Sequence, residues 1–227
     1  MSRRKTPSVK VGRPLTDGQL VRRVVGGETA LFEILFHRHS QRVYRAARAI
    51  MRDDDEAADV VQESFLHAYE HLSQFAGRAK FSTWLTKIAV YEARARLRRT
   101  RARDVKARDA GVRREARGEA VAPAEQESRV LVGETRSMLE AAIDALPNLY
   151  RIVFVMREVE EMSTADTADV LNLSADAVKT RLRRARLLLR KKLNAWGGPI
   201  GREAFRFAGR RCERMWRQGI APRVNPT

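Results

Sequence analysis

The sequence predicts an all-α protein: two small helical domains joined by a flexible charged linker, the second ending in a helix-turn-helix, followed by a C-terminal amphipathic helix. Three observations carry that prediction. Apolar residues recur at steps of three and four through most of the chain, with no strand-like alternation. That periodicity fails between Thr100 and Glu127, where Arg, Ala, Glu and Asp crowd out large apolar residues. The stretch Met162–Arg190 then sets a short helical pattern, a three-residue break and a longer basic helical pattern in a row.

Taken in order, residues 1–14 read as a disordered basic tail, and the first domain spans 15–99. Leu20, Val21, Val24 and Val25 begin its pattern, closed by Gly26-Gly27. A long helix is expected from about Glu28 to Met51, with Leu31, Leu35, Val43, Ala46, Ala47 and Ile50 facing inward. The cluster Asp53-Asp54-Asp55-Glu56 suits a helix N-terminus, where carboxylates meet the positive end of the dipole. Val61, Phe65, Ala68 and Leu72 form the stripe of that third helix. After the loop Ser73–Lys80 comes a fourth helix, with Leu85, Ile88, Ala89 and Leu97 as core and a far end rich in arginine.

Residues 100–128 read as a tether, whose root-mean-square span would be about 30 Å. The second domain, 129–196, opens on Val130, Leu131, Leu139, Ile143 and Leu146, breaks at Pro147, and continues as a helix over Leu149–Glu160. Gly197-Gly198-Pro199 should stop it, leaving the tail 197–227. Within the tail, Phe205, Ala208, Cys212, Met215 and Trp216 line one face of a helix and five arginines line the other. A docked accessory helix is the expectation for that pattern, ahead of contact with an anionic membrane.

Composition narrows the partners. A net charge of +17 and a pI near 11.1 point to a polyanion, nucleic acid first. The single cysteine, Cys212, excludes an intramolecular disulfide framework and fits a reducing compartment. The N-terminus is basic without an apolar stretch behind it, and no run approaches the ~20 apolar residues of a membrane span, so a soluble cytoplasmic protein is expected.

The helix-turn-helix follows from its residues. Ser163 and Asp166 make a capping-box-like start, Asn172 tolerates a left-handed turn, and Ser174 can cap the next helix. Val178, Leu182, Ala185 and Leu189 then form one apolar stripe. Beside it Lys179, Arg183, Arg186 and Arg190 form a cationic ridge, flanked by Arg181 and Arg184, with no acid after Asp176. A solvated charged face is the ordinary explanation of such a run; unrelieved positive charge on the second helix of this motif favours the DNA major groove. The candidate duplex-reading set is Ser174, Asp176, Lys179, Thr180, Arg181, Arg183, Arg184 and Arg186.

Several segments in one order resemble bacterial RNA polymerase sigma factors of the small, extracytoplasmic-function type. They are DEAADVVQESFLHAYEHLSQF (55–75), AKFSTWLTKIA (79–89), AAIDALPNLYRIVFVMREVEEMS (141–163) and DAVKTRLRRARLLLR (176–190), and the match covers about residues 16–99 and 134–193. The resemblance implies that the first domain grips core RNA polymerase and captures the melted promoter element, while the second reads a duplex element. By position, Asp59, Gln62 and Glu63 fall where family members meet the polymerase clamp, although spacing alone would make them a plain solvated face. Lys80, Trp84, Lys87, Tyr91, Arg94 and Arg98 fall in the strand-capturing segment. Aromatic faces there would stack on unpaired bases while cations hold phosphates, with a place in the core as the alternative for Trp84. An anti-sigma factor is a further partner that the family implies; no cofactor and no enzymatic activity are expected.

The chain departs from its relatives in places. Tyr91 stands where many carry Asn, and arginines continue where an acid is usual a few positions later. Asn172 replaces the usual turn Gly, and Thr167 puts a hydroxyl where an apolar residue is usual. Two other functions have some support in the sequence. HAYEH at 67–71 matches the H-x-x-E-H zinc-peptidase pattern, with His67 and His71 one turn apart, but no third ligand motif follows. A free-standing DNA-binding regulator would share the helix-turn-helix but not associate with polymerase.

Overall fold

The computed structural model describes residues 14–109, 137–192 and 210–225, and every regular element among them is helical. Helix α1 (Asp17–Val25) starts in a capping box, in which the Thr16 side chain accepts from Gln19 N and the Gln19 side chain accepts from Thr16 N. It buries Leu20, Val21 and Val24. Gly27, at φ 105°, turns the chain into a 3-10 turn (Thr29–Leu31) ahead of α2 (Phe32–Met51). The long helix expected from Glu28 therefore begins four residues later in α-helical form.

Arg52 ends α2 in the left-handed conformation, and the Asp53 carboxylate accepts from Asp55 N and Glu56 N to start α3 (Asp54–Glu70). Helix α4 (Phe81–Asp109) completes a three-helix core with α2 and α3. Phe32 and Phe36 meet Phe65 edge to face there, with centroids 6.2 and 4.8 Å apart.

Helix α4 continues ten residues into the stretch read as a tether. Its sequence there, TRARDVKARD, lacks an apolar stripe but is rich in Arg, Lys and Ala, whose helix propensity is high enough to extend a helix already nucleated. Residues 110–128, the rest of the expected tether, lie outside the described residues, as do 129–136 with the expected core positions Val130 and Leu131, 1–13, 193–209 and 226–227.

The second half consists of α5 (137–144), α6 (Asn148–Phe154) running on as a π-helical turn (Val155–Val159), α7 (Thr164–Leu171) and α8 (Ala175–Lys192). Pro147 separates α5 from α6, as its missing N–H requires. The tail forms α9 (Arg210–Arg214), a second π-helical turn (Met215–Ile220) and α10 (Ala221–Val224). It buries Cys212, Trp216, Ile220 and Val224. Trp216 packs on Phe36 at 5.2 Å, and the Tyr69 hydroxyl donates to Val224 O at 3.1 Å. From Arg210 the expected accessory helix thus docks on the first half, with its apolar pattern carried on to Val224, while Phe205 and Ala208 lie outside the described residues.

The two halves also meet each other, which periodicity gave no means of reading. Arg151 on α6 is 1% exposed; its guanidinium donates to Ala49 O on α2 and, at 2.9 and 3.1 Å, to Asp144 O and Leu146 O. Burial, then repulsion from Arg52, draws its pKa down to about 10, so it stays charged at neutral pH. Arg48 forks onto Asp144 at 3.0 and 2.7 Å, and Glu160 accepts from Arg42 at 3.0 Å and Arg45 at 2.8 Å. On another face, Asp166 and Asp169 of α7 accept from Thr83 (3.2 Å) and Lys87 (2.6 Å) of α4, while Arg94 reaches Leu171 O at 3.3 Å.

Candidate nucleic-acid interface

The turn before α8 is built as its sequence requires. Ser163 Oγ accepts from Asp166 N at 2.9 Å to open α7, Asn172 closes it at φ 53° and ψ 58°, and Ser174 Oγ accepts from Ala177 N at 3.1 Å. Val178, Leu182, Ala185 and Leu189 are buried, which fixes the rotation of α8 about its axis. Of the candidate duplex readers, Ser174, Asp176, Lys179, Thr180, Arg183, Arg184 and Arg186 are exposed, and Arg181 is half-buried. Two cations have acidic neighbours: Lys179 reaches Asp176 at 3.2 Å, and Arg186 reaches Glu158 at 2.7 Å. Thr180, Arg183, Arg184, Arg186, Leu187 and Arg190 line one concavity, a cationic surface suited to phosphate contacts.

The candidate strand-capturing residues on α4 are placed differently. Trp84 is half-buried, its ring 5.4 Å from Phe75 and 5.7 Å from Phe81, so it serves the core and offers only part of its face. Tyr91 is 67% exposed. Lys80 and Arg98 are exposed, Lys87 is paired with Asp169, and Arg94 is half-buried against α7. Burial draws the Arg94 pKa down, helped by Arg181 and Arg98, which brings a cation of α8 close to the α4 face.

Trp84, Lys87 and Tyr91 border a groove of about 420 Å³ whose other wall includes His67, His71 and Gln74, with Ile88 and Glu92 between. Sequence reasoning did not assign His67, His71, Gln74 and Glu92 to this surface. The one signal the sequence offers is the i, i+4 spacing of the two histidines, which reads as a metal pair. In the structure His67 Nδ1 lies 2.9 Å from Glu92 Oε1, and His71 Nδ1 lies 2.9 Å from His67 O. Among the described residues no three His, Cys, Asp or Glu side chains are grouped to share a metal.

A third surface lies on α3. Glu56, Asp59 and Glu63, one turn apart in succession, converge on Arg96 of α4, at 2.6 Å for Asp59 and 3.0 Å for Glu63. Burial opposes the Arg96 charge, but the three carboxylates outweigh it and raise the pKa. Asp59 and Glu63 remain exposed, and Gln62 is half-buried beneath the tail at Gly219. Arg96, read from sequence as one of an arginine run, is turned to acids. No helix of the described residues is long and apolar enough to cross a membrane.

Comparison with known proteins matches these same regions. A family model for sigma-70 region 2 covers residues 35–103, and one for sigma-70 region 4 covers 136–189. The RNA polymerase sigma-H factor of Pseudomonas aeruginosa is 34% identical over 194 residues, spanning 83% of this chain and 97% of that protein. The ECF RNA polymerase sigma-E factor of Salmonella typhimurium is 33% identical over 183 residues, spanning 79% and 95%. Among solved structures, the sigma factor RpoE in complex with the anti-sigma factor NepR, from Bartonella quintana, matches with a TM-score of 0.59. It covers 72% of this chain and 97% of that one at 24% identity, a likeness of fold.

Proposed function

The chain belongs to the sigma-70 family, among the extracytoplasmic-function sigma factors, and from that premise we propose how its own residues direct core RNA polymerase to promoters. The observation that carries the reading is α8, whose buried stripe turns an acid-poor cationic ridge outward from a helix-turn-helix. Lys179, Thr180, Arg181, Arg183, Arg184 and Arg186 divide between phosphates and base edges of the duplex promoter element, with Ser174 and Asp176 at the groove-facing N-terminus. Arginine suits both tasks, because its fork matches guanine and phosphate alike.

The melted element lies along α4. Tyr91 and the exposed part of Trp84 stack on unpaired bases, each stacked base contributing ~1–3 kcal/mol. Lys80, Lys87, Arg94 and Arg98 hold the backbone. In the free chain α7 lies on this face, so the strand reaches Lys87 and Arg94 only after α7 withdraws. Asp59, Gln62 and Glu63 on α3 bind the polymerase clamp, where partner cations replace Arg96. An anti-sigma factor binds the chain when transcription is not needed, and the work is done in the bacterial cytoplasm.

The experiment is reconstitution of the full chain with core polymerase on promoter DNA. Stoichiometric co-purification and promoter-specific run-off transcripts are expected. Duplex binding without polymerase association would instead identify a free-standing regulator.

A further inference from the structure

Residues 210–225 lie beyond both promoter-binding halves, yet their apolar side packs on the first. Ile220 is 0% exposed and Val224 1%, and Trp216 at 4% stacks on Phe36. The π-helical turn brings Gly219 so close to α3 that a Cβ there would sit 2.7 Å from Gln62 Oε1. Arg223 shares a groove with Glu63, Glu70 and Glu92. The charges are complementary: α3 carries six carboxylates and no Lys or Arg, while residues 210–225 carry five arginines and one glutamate. Gln62 and Glu63 are two of the three residues assigned to the polymerase clamp.

We propose that the C-terminal segment Arg210–Asn225 is an internal cap that competes with core RNA polymerase for the α3 face; this rests on α3 being the polymerase surface. The cap places backbone over Gln62 and the Arg223 guanidinium on the groove that Glu63 also lines, positions that an incoming basic partner surface needs. It is held by a small set of anchors, chiefly Trp216, Ile220 and Val224, and its release leaves the α2–α3–α4 core intact. Polymerase therefore binds the fraction of molecules with the cap lifted. A cap docked nine-tenths of the time weakens the apparent affinity about tenfold.

The test compares dissociation constants for core polymerase among full-length variants, with hydrogen exchange at 212–224 reporting the cap. Ile220→Asp puts a charge under the cap and should tighten binding about tenfold while exchange there rises and α3 stays protected. Gly219→Leu, which must displace Gln62, and Arg223→Glu should act in the same direction more weakly, and they serve if Ile220→Asp does not fold. Asp59→Lys with Glu63→Lys is the control for the α3 surface and should abolish association. If the control loses association but cap-released variants bind no tighter than the parent, the cap is overturned and the polymerase surface stands. Retained association in the control would overturn both.

Discussion

Helices α4 and α8 each carry a cationic face, but the two faces are in opposite states in the free chain. On α8 Arg183 and Arg184 are open and Lys179, though it reaches Asp176 of its own helix, is covered by no other element, because the apolar stripe on the other side is what the second half buries. On α4 Lys87 and Arg94 are engaged by Asp169 and Leu171 O of α7, and the first half carries that cover as an intramolecular partner. Both faces read alike in sequence, as Lys and Arg at helical spacing. Availability is decided by what packs on a face, and here α7 of the second half covers part of the cationic face of α4 while the face of α8 stays exposed.

The largest effect expected from this contrast comes from removing the open ridge. Alanine at Lys179, Arg181, Arg183 and Arg184 together should weaken duplex-element binding roughly a hundredfold or more, since each lost base contact costs ~1–3 kcal/mol. The log–log salt slope should fall by about 0.9 for each phosphate contact removed. Alanine at Lys87 and Arg94 should leave duplex binding by the free chain unchanged and impair only promoter melting by holoenzyme. Equal losses in both variants, measured by fluorescence anisotropy, would erase the distinction between the faces.

A second expected effect concerns what keeps α4 covered. Glu160 is 9% exposed and accepts from both Arg42 and Arg45, and removing one member of a buried ion pair costs ~3–5 kcal/mol. Glu160→Ala should therefore separate the halves before it unfolds either, because separation returns the arginines to water. Limited proteolysis should show new cleavage between the halves with the helical circular-dichroism signal retained. By contrast Lys87–Asp169 is half-exposed on both sides and worth ~0–1 kcal/mol, so Asp169→Ala alone should scarcely move that equilibrium.

Thr167 gives a smaller effect within α7 itself. Its hydroxyl is fully buried and has no hydrogen-bond partner. Thr167→Val should stabilise the second half by about 1 kcal/mol, read as a Tm higher by a few degrees. The departure at this position leaves a buried hydroxyl unpaired, and it is visible in the sequence only through the resemblance.

The smallest expected effect separates the halves by pH. All four histidines lie in the first half. Burial holds the His39 pKa below its ordinary value, with Asp17 at 2.8 Å pulling the other way. A histidine depressed on folding contributes stability that is full above the unfolded value, about 6.5, and is lost as pH falls through the folded value. Stability of the first half should therefore decline below about pH 6.5, and His39→Gln should flatten that slope in chemical denaturation.

Much of this was legible in the chain itself. The stripe on α8 and the caps at Ser163 and Ser174 depend on local spacing, and spacing is what a sequence displays. Trp216 and Cys212 belonged to a recognisable apolar face, though nothing in their spacing said which surface they would cover. The ion pairs of Arg48 with Asp144 and of Arg45 with Glu160 join residues about a hundred positions apart, and a charge has no periodic signature that names a distant partner. Arg96 illustrates the same limit: it sits within an arginine run but is turned to Glu56, Asp59 and Glu63 by the rotation of α4 against α3.

The closed arrangement of the two halves is tested most directly by a distance between them. Spin labels attached by non-cysteine chemistry at Tyr91 on α4 and Thr180 on α8 would report it through electron–electron dipolar coupling. The free chain should give one narrow distribution, and saturating core polymerase should shift it to longer distance as α7 leaves the α4 face. A broad distribution already present in the free chain, or an unchanged one in holoenzyme, would contradict the account.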